Sequence, residues 1–284
     1  MFKKTVLAFC ISVFLSIFLL PFSSQAQVNS GDFGLILNGG VGTGSSMYGV
    51  ILNTTNDSSS TLGVGPGSSF NAGFMANFNI IAIHSQLYYV TLKDLEWEQE
   101  VSGVDRKFKT EGSGHFWTWD GTIGIKALTE EGDMGYTHLY VGFRIWKVLR
   151  EEDKKTVDGV SNPLYPPVKQ ELTGNGFIVG IRDFSTLPLG SISLALQTGL
   201  WLYKAPLSTF KQDGTEIDTT ADQNIGFGFE IGGGLAFEDI GLSTIVGLRM
   251  DVQATEIKLP LNIDAVAGSG YAQFFFAVSK EFGF

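Results

Sequence analysis

The sequence predicts an all-β chain whose strands cross a membrane and close into one antiparallel up-and-down barrel. Three features carry that prediction: apolar residues at every second position in ten segments, polar and glycine-rich residues between them, and connections that alternate between short and long. Alternation at 180° per residue puts one set of side chains on one face of a strand. In a soluble sandwich two apolar faces meet in a single core and the outer faces are polar. Here the apolar face is rich in aromatics and the opposite face is small. That combination suits lipid outside and a narrow lumen inside. A bilayer satisfies no open strand edge, so such a sheet must close on itself.

The chain of 284 residues opens with Met1-Phe2-Lys3-Lys4, followed by a mostly apolar stretch from Thr5 to Leu20 that Pro21 ends. Ser24-Gln25-Ala26 then puts small residues at the third and first positions before Gln27. This is the pattern of a secretory signal peptide, so residues 1–26 are expected to be cleaved and 27–284 to form the barrel. The stretch is short for a membrane anchor, which needs ~20 apolar residues. Cys10 is the only cysteine and lies in this leader, which excludes disulfides, Cys-ligated metals and Cys nucleophiles from the mature chain. No later segment holds ~18 unbroken apolar residues, so no membrane helix is expected.

The alternating segments follow in order. The first carries Phe33, Leu35, Leu37 and Val41, and the second Phe70, Ala72, Phe74, Ala76 and Phe78. Leu87 and Tyr89 mark the third, and Trp117, Trp119, Ile123 and Ile125 the fourth. The fifth has Leu139, Val141, Phe143, Ile145 and Leu149, the sixth Phe177, Val179 and Ile181, and the seventh Ile192, Leu194, Leu196, Leu200 and Leu202. The eighth runs Ile225, Phe227, Phe229, Ile231, Leu235 and Phe237, and the ninth Leu242, Val246, Leu248, Met250 and Val252. The tenth holds Phe274, Phe276, Val278, Phe282 and Phe284. Between these positions stand residues such as Asn224, Gly226, Gly228, Glu230, Gly232 and Gly234, which read as the face of a narrow lumen.

Long polar loops are expected near 44–69, 98–114, 151–168, 206–221 and 256–269, and short turns near 79–82, 128–134, 185–189 and 238–240. Short periplasmic turns, long outer loops and an even strand number belong together when both termini are periplasmic. Ten strands satisfy this; twelve would follow if 44–69 or 151–168 hid a membrane hairpin. The last strand, with Phe274, Phe276, Val278, Phe282 and Phe284 on one face, resembles that of bacterial outer-membrane β-barrel proteins. Lys280 departs from the pattern, but a lysine near the membrane edge can snorkel. The resemblance implies insertion through the barrel-assembly machinery, after escort by periplasmic chaperones, into outer-membrane lipid.

Composition narrows the partners. Two of the 19 basic residues lie in the leader, which leaves 17 against 29 acids. A chain this acidic argues against nucleic acid, whose phosphates need a basic surface. All 36 glycines follow residue 26, about twice the usual share. With 13% aromatics the chain does not read as disordered.

Parity identifies lumen residues. A turn centred near 132 sets Asp120 opposite Arg144 and Lys126 opposite His138, all inward. A turn centred near 239.5 sets Glu230 opposite Arg249, with Asp251 one step along; Arg182 and Glu281 also point inward. These charges either cross-pair and fill the barrel or ring a constriction that selects solutes. Trp97, Trp117 and Trp119 are expected at the membrane interface as an aromatic belt.

Catalytic and metal sets are weak. Omptin-like proteases are ten-stranded with an Asp pair opposite an Asp–His pair, but none of His84, His115 and His138 sits in an Asp-x-His pattern. Asp94, Glu96 and Glu98 could oppose His115, or offer oxygens to Ca²⁺, yet their spacing is that of any acidic strand. Gly39-Gly40-Val41-Gly42-Thr43-Gly44 lacks the Lys-Ser/Thr of a phosphate loop and reads as strand. No cofactor motif is present. The expectation is therefore a non-enzymatic barrel with a structural or surface-interaction role through its outer loops, the surface ligand being unspecified. A narrow solute channel and a surface enzyme are the alternatives.

Overall fold

The computed structural model describes residues 33–53, 58–78, 80–100, 107–127, 136–157, 159–161, 166–217, 224–259 and 263–283. The leader and Phe284 lie outside the described residues. Twelve strands form one antiparallel sheet: β1 (Phe33–Asn53), β2 (Ser58–Phe78), β3 (Ile81–Glu100), β4 (Lys107–Ala127), β5 (Tyr136–Val157), β6 (Val160–Ser161), β7 (Lys169–Pro188), β8 (Ser193–Gln212), β9 (Thr215–Ile217), β10 (Ile225–Phe237), β11 (Leu242–Leu259) and β12 (Ile263–Gly283). Ten of them make the wall, and pairing of β12 with β1 closes the ring. β6 and β9 are two- and three-residue strands that pair with the ends of β5 and β8 and add no crossing.

Outward positions in the half near the chain termini carry the apolar belt; Phe177 and Phe274 are 69% and 68% exposed, as lipid-facing side chains must be. The turn between β10 and β11 is tight. Glu238–Ile240 forms one 3-10 turn, and Gly241 then takes φ +59°, a conformation glycine adopts without strain.

The predicted long loops are a correction. Most of 44–69, 98–114, 151–168, 206–221 and 256–269 continues as strand. β5 has 22 residues and β4 has 21, whereas a crossing needs about 9–11. At about 3.3 Å per residue, β5 is about 73 Å long, so roughly half of it stands beyond the bilayer. The sequence pattern inverts there, and that is why the extension was not read from outward apolar residues. On β5 and β7 the outward positions become Lys147, Glu151, Lys169 and Glu171, while Val148 and Leu172 turn inward and are fully buried. Water replaces lipid outside, and the barrel interior takes over the apolar role.

The glycines are also put to a use that composition does not reveal. From the sequence they read as the small-residue face of a narrow lumen. Instead, inward glycines lie under aromatic rings of the neighbouring strand: Gly174 under Trp146, Gly180 under Tyr140, Gly226 under Tyr203, Gly228 under Trp201 and Gly247 beside Phe275. A β-carbon at any of these would approach the ring under 3.0 Å. Each glycine is the direct cross-strand partner of the ring that covers it, so a small residue on one strand makes room for a large one on the next. Gly228→Val is expected to force Trp201 out of its rotamer and cost about 1–3 kcal/mol, read as a lower urea midpoint with an unchanged slope.

Candidate functional site

The most developed polar constellation is a charged plug across the lumen. On β4 and β5, Asp120 and Arg144 are cross-strand partners. Arg144 donates from Nε and Nη2 to the two Asp120 oxygens at 2.7 and 2.8 Å, a bidentate fork. Its Nη1 reaches across the barrel to Asp251 Oδ2 on β11 at 2.7 Å. Asp251 also accepts Trp201 Nε1–H at 2.9 Å.

A second cluster sits beside the first. Glu230 on β10 accepts from Arg249 Nη1 at 3.0 Å, from Arg182 Nε at 2.8 Å and from Gln197 Nε2 at 3.1 Å. Arg182 on β7 donates its other nitrogens to His84 Nε2 and Gln86 Oε1 on β3, both at 3.1 Å. Gln86 in turn donates to Tyr88. The Arg249 guanidinium lies 3.4 Å from the Tyr88 ring centroid and 4.3 Å from that of Trp201, and donates from Nε to Tyr271 at 3.1 Å. Tyr203, Gln253 and Ser269 extend the chain of bonds. Three arginines thus meet three acids, and Arg144, Arg249, Glu230 and Asp251 are at most 2% exposed. Charges so buried are tolerated only when paired and hydrogen-bonded.

Apolar layers sit on both sides of this plug. Toward the far end lies a cluster that includes Phe116, Trp146, Val148, Leu172, Phe210 and Ile257. Toward the turn end lie Phe184, Ala195, Ala236, Ile245 and Phe275, and beside them Ile36, Met75 and Ala82.

The other expected site residues fall as follows. His138 is buried with its ring 5.3 Å from that of Tyr140, and its register partners are Lys126 and Arg182; the Lys126 side chain lies outside the described residues. Phe274, Phe276, Val278 and Phe282 face outward, and Phe284 lies outside the described residues. Lys280 donates to the Ile240 carbonyl and stands 5.4 Å from the Phe282 ring, which satisfies its charge at the membrane edge. Trp117 faces outward between Tyr89 and Lys147, where the apolar belt ends. Trp119 does not stand at that level. It sits one outward position inside the belt, folds over Gly121, and donates Nε1–H to Ser85 at 3.1 Å. Trp97, whose side chain lies outside the described residues, pairs with Thr110 and comes eight residues after Tyr89, well beyond the belt.

The side chains of the β3 acids lie outside the described residues; the backbone register of Glu96 and Glu98 is fixed, and Asp94 lies in the irregularity between Leu92 and Leu95. Glu96 pairs with Glu111 and Glu98 with Lys109, whereas His115 pairs with Thr91. Five and seven residues of strand separate them from Thr91, about 16 and 23 Å. His115 itself faces outward and stacks on Tyr89 at 5.6 Å. Sequence reasoning missed Trp201, Tyr203, Tyr88, Tyr271 and the glutamines of the plug. For Trp201 and Tyr203 the signal was an aromatic at an inward position opposite a glycine.

No protein-family model matches the chain, and no curated protein matches it in sequence. Among solved structures it is similar to the outer-membrane protease OmpT from Escherichia coli, at a TM-score of 0.62 and 7% identity over 87% of this chain and 97% of that one. The transport unit of the autotransporter AIDA-I from Escherichia coli matches at a TM-score of 0.38 and 11% identity, over 96% of this chain and 97% of that one. The translocator domain of the autotransporter NalP from Neisseria meningitidis matches at 0.36 and 13%, over 87% and 90%. The fold is that of an outer-membrane β-barrel: closed, antiparallel and ten-stranded.

Proposed function

We propose that the chain is a sealed integral barrel of the bacterial outer membrane, exported with a signal peptide cut after Ala26. Its β-structured projection stands at the cell surface in a structural or surface-binding role. The observation that carries this reading is the plug: three arginines and three acids bonded across the lumen between apolar layers. Neutralised charges offer a permeant ion neither a free site nor a water path. Insertion would use the barrel-assembly machinery acting on the aromatic last strand, and membrane lipid would be the resident partner.

The test is single-channel conductance of refolded protein in a planar bilayer, with folding checked by heat-modifiable gel migration. The folded wild type is expected to be silent. Arg249→Ala removes the guanidinium wedged between Tyr88 and Trp201 and is expected to produce resolvable steps. Steady conductance from the wild type would sink the sealed barrel in favour of a narrow channel.

A further inference from the structure

The lipid-facing wall is not uniform. A cross-strand row of outward residues runs Phe74, Ser85, Gly121, Phe143, Phe177 and Lys204, each the direct partner of the next from β2 to β8. The small Ser85 and Gly121 lie between Phe74 on one side and Phe143 and Phe177 on the other, so the row forms an open groove of about 1010 Å³. Gly121 and Ser85 make its floor, and the Trp119 indole lies along it. Five strand spacings of ~4.8 Å give the row a length of about 24 Å.

Strand tilt makes the row oblique to the membrane. Below Phe74 on β2 come Ala76 and Phe78, whereas below Lys204 on β8 come Leu202, Leu200, Thr198, Leu196 and Leu194. The Lys204 end therefore lies at the upper limit of the apolar belt, and the Phe74 end lies deep within it. Lys204 is the only charged residue lining the groove, is exposed, and forms no ion pair among the described residues. Lys147, at the corresponding limit on β5, is bonded to Glu171 at 2.9 Å. A lipid-facing lysine without an anion is costly unless the membrane supplies one.

We infer that this groove is a binding site for one anionic, phosphate-bearing lipid of the far-end leaflet. Its acyl chain lies across Gly121 and Ser85, and its phosphate meets Lys204. An apolar track that ends in a cation with no ion pair among the described residues, within a wall that must contact lipid, matches that amphiphile in both shape and charge.

Brominated acyl chains, which quench tryptophan on contact, supply the test. The refolded protein is placed in phosphatidylcholine vesicles containing a rising fraction of brominated phosphatidylglycerol or brominated phosphatidylcholine. The signal followed is the part of the fluorescence lost in Trp119→Phe. One lysine–anion contact is worth about fivefold in affinity, so phosphatidylglycerol is expected to half-quench Trp119 at about one fifth of the mole fraction. Lys204→Gln is expected to erase that preference and Lys147→Gln to leave it. Equal curves for the two headgroups would overturn the site, as would an equal loss in both lysine variants, which would mean diffuse surface charge. Failure of either lipid to quench Trp119 would also overturn it, since a second copy of the chain would then cover the groove.

Discussion

Arg144→Ala is expected to lower the free energy of unfolding by about 3–5 kcal/mol. Arg144 is 1% exposed and bonds two carboxylates on opposite sides of the lumen. Its removal leaves Asp120 and Asp251 buried and facing each other with no cation between them, and that orphaned charge makes the loss large. The contrast is Lys147, whose pair with Glu171 at 2.9 Å is about 30% exposed; Lys147→Ala is expected to cost under about 1 kcal/mol. Urea unfolding in small vesicles, followed by tryptophan fluorescence and gel mobility, measures both. A triple variant, Arg144→Met with Asp120→Asn and Asp251→Asn, removes the charges together and is expected to recover most of the loss. A single-variant cost near that of Lys147→Ala would show that water already solvates the plug.

The fold was legible where one physical rule governed each face. Lipid on one side and lumen on the other forced period-two alternation, so the ten crossings could be counted from residues such as Phe74 and Val141. Beyond the bilayer the rule reverses. Val148 and Leu172 are inward and apolar while Lys147 and Glu171 are outward and charged, and a search for outward apolar residues passes over them. The site was legible to the extent that short turns fix register. Counting back from a tight turn places Asp120 opposite Arg144 and Glu230 opposite Arg249, the partners found in the sheet. Contacts across the lumen follow from wall curvature instead. No local count sets Arg144 against Asp251, 107 residues away, or Arg182 against Gln86, 96 residues away. Glycine misled for a related reason. At an inward position it reads as open space, and only the register with Trp201 or Tyr203 shows that the space is filled.

Trp201→Ala is expected to cost about 3–5 kcal/mol and to open the barrel. The indole is 2% exposed, lies over Gly228, stacks 4.3 Å from the Arg249 guanidinium and donates to Asp251 at 2.9 Å. Truncation therefore removes volume at the level of the plug, releases one face of Arg249 and takes a donor from Asp251. Alanine cannot refill the gap, because the opposing residue is glycine and has no side chain to lean in. Ion conductance is expected to appear in Trp201→Ala, with an unfolding midpoint below that of the wild type. Transposing the ring separates volume from bonding. Trp201→Gly combined with Gly228→Trp returns an indole to the same cross-strand pair from the other strand. It is expected to close the conductance and restore part of the stability, but not the part owed to the Asp251 bond. A transposed variant that stays open would mean that Asp251 and Arg249, held in place by the original indole, seal the lumen rather than the ring itself.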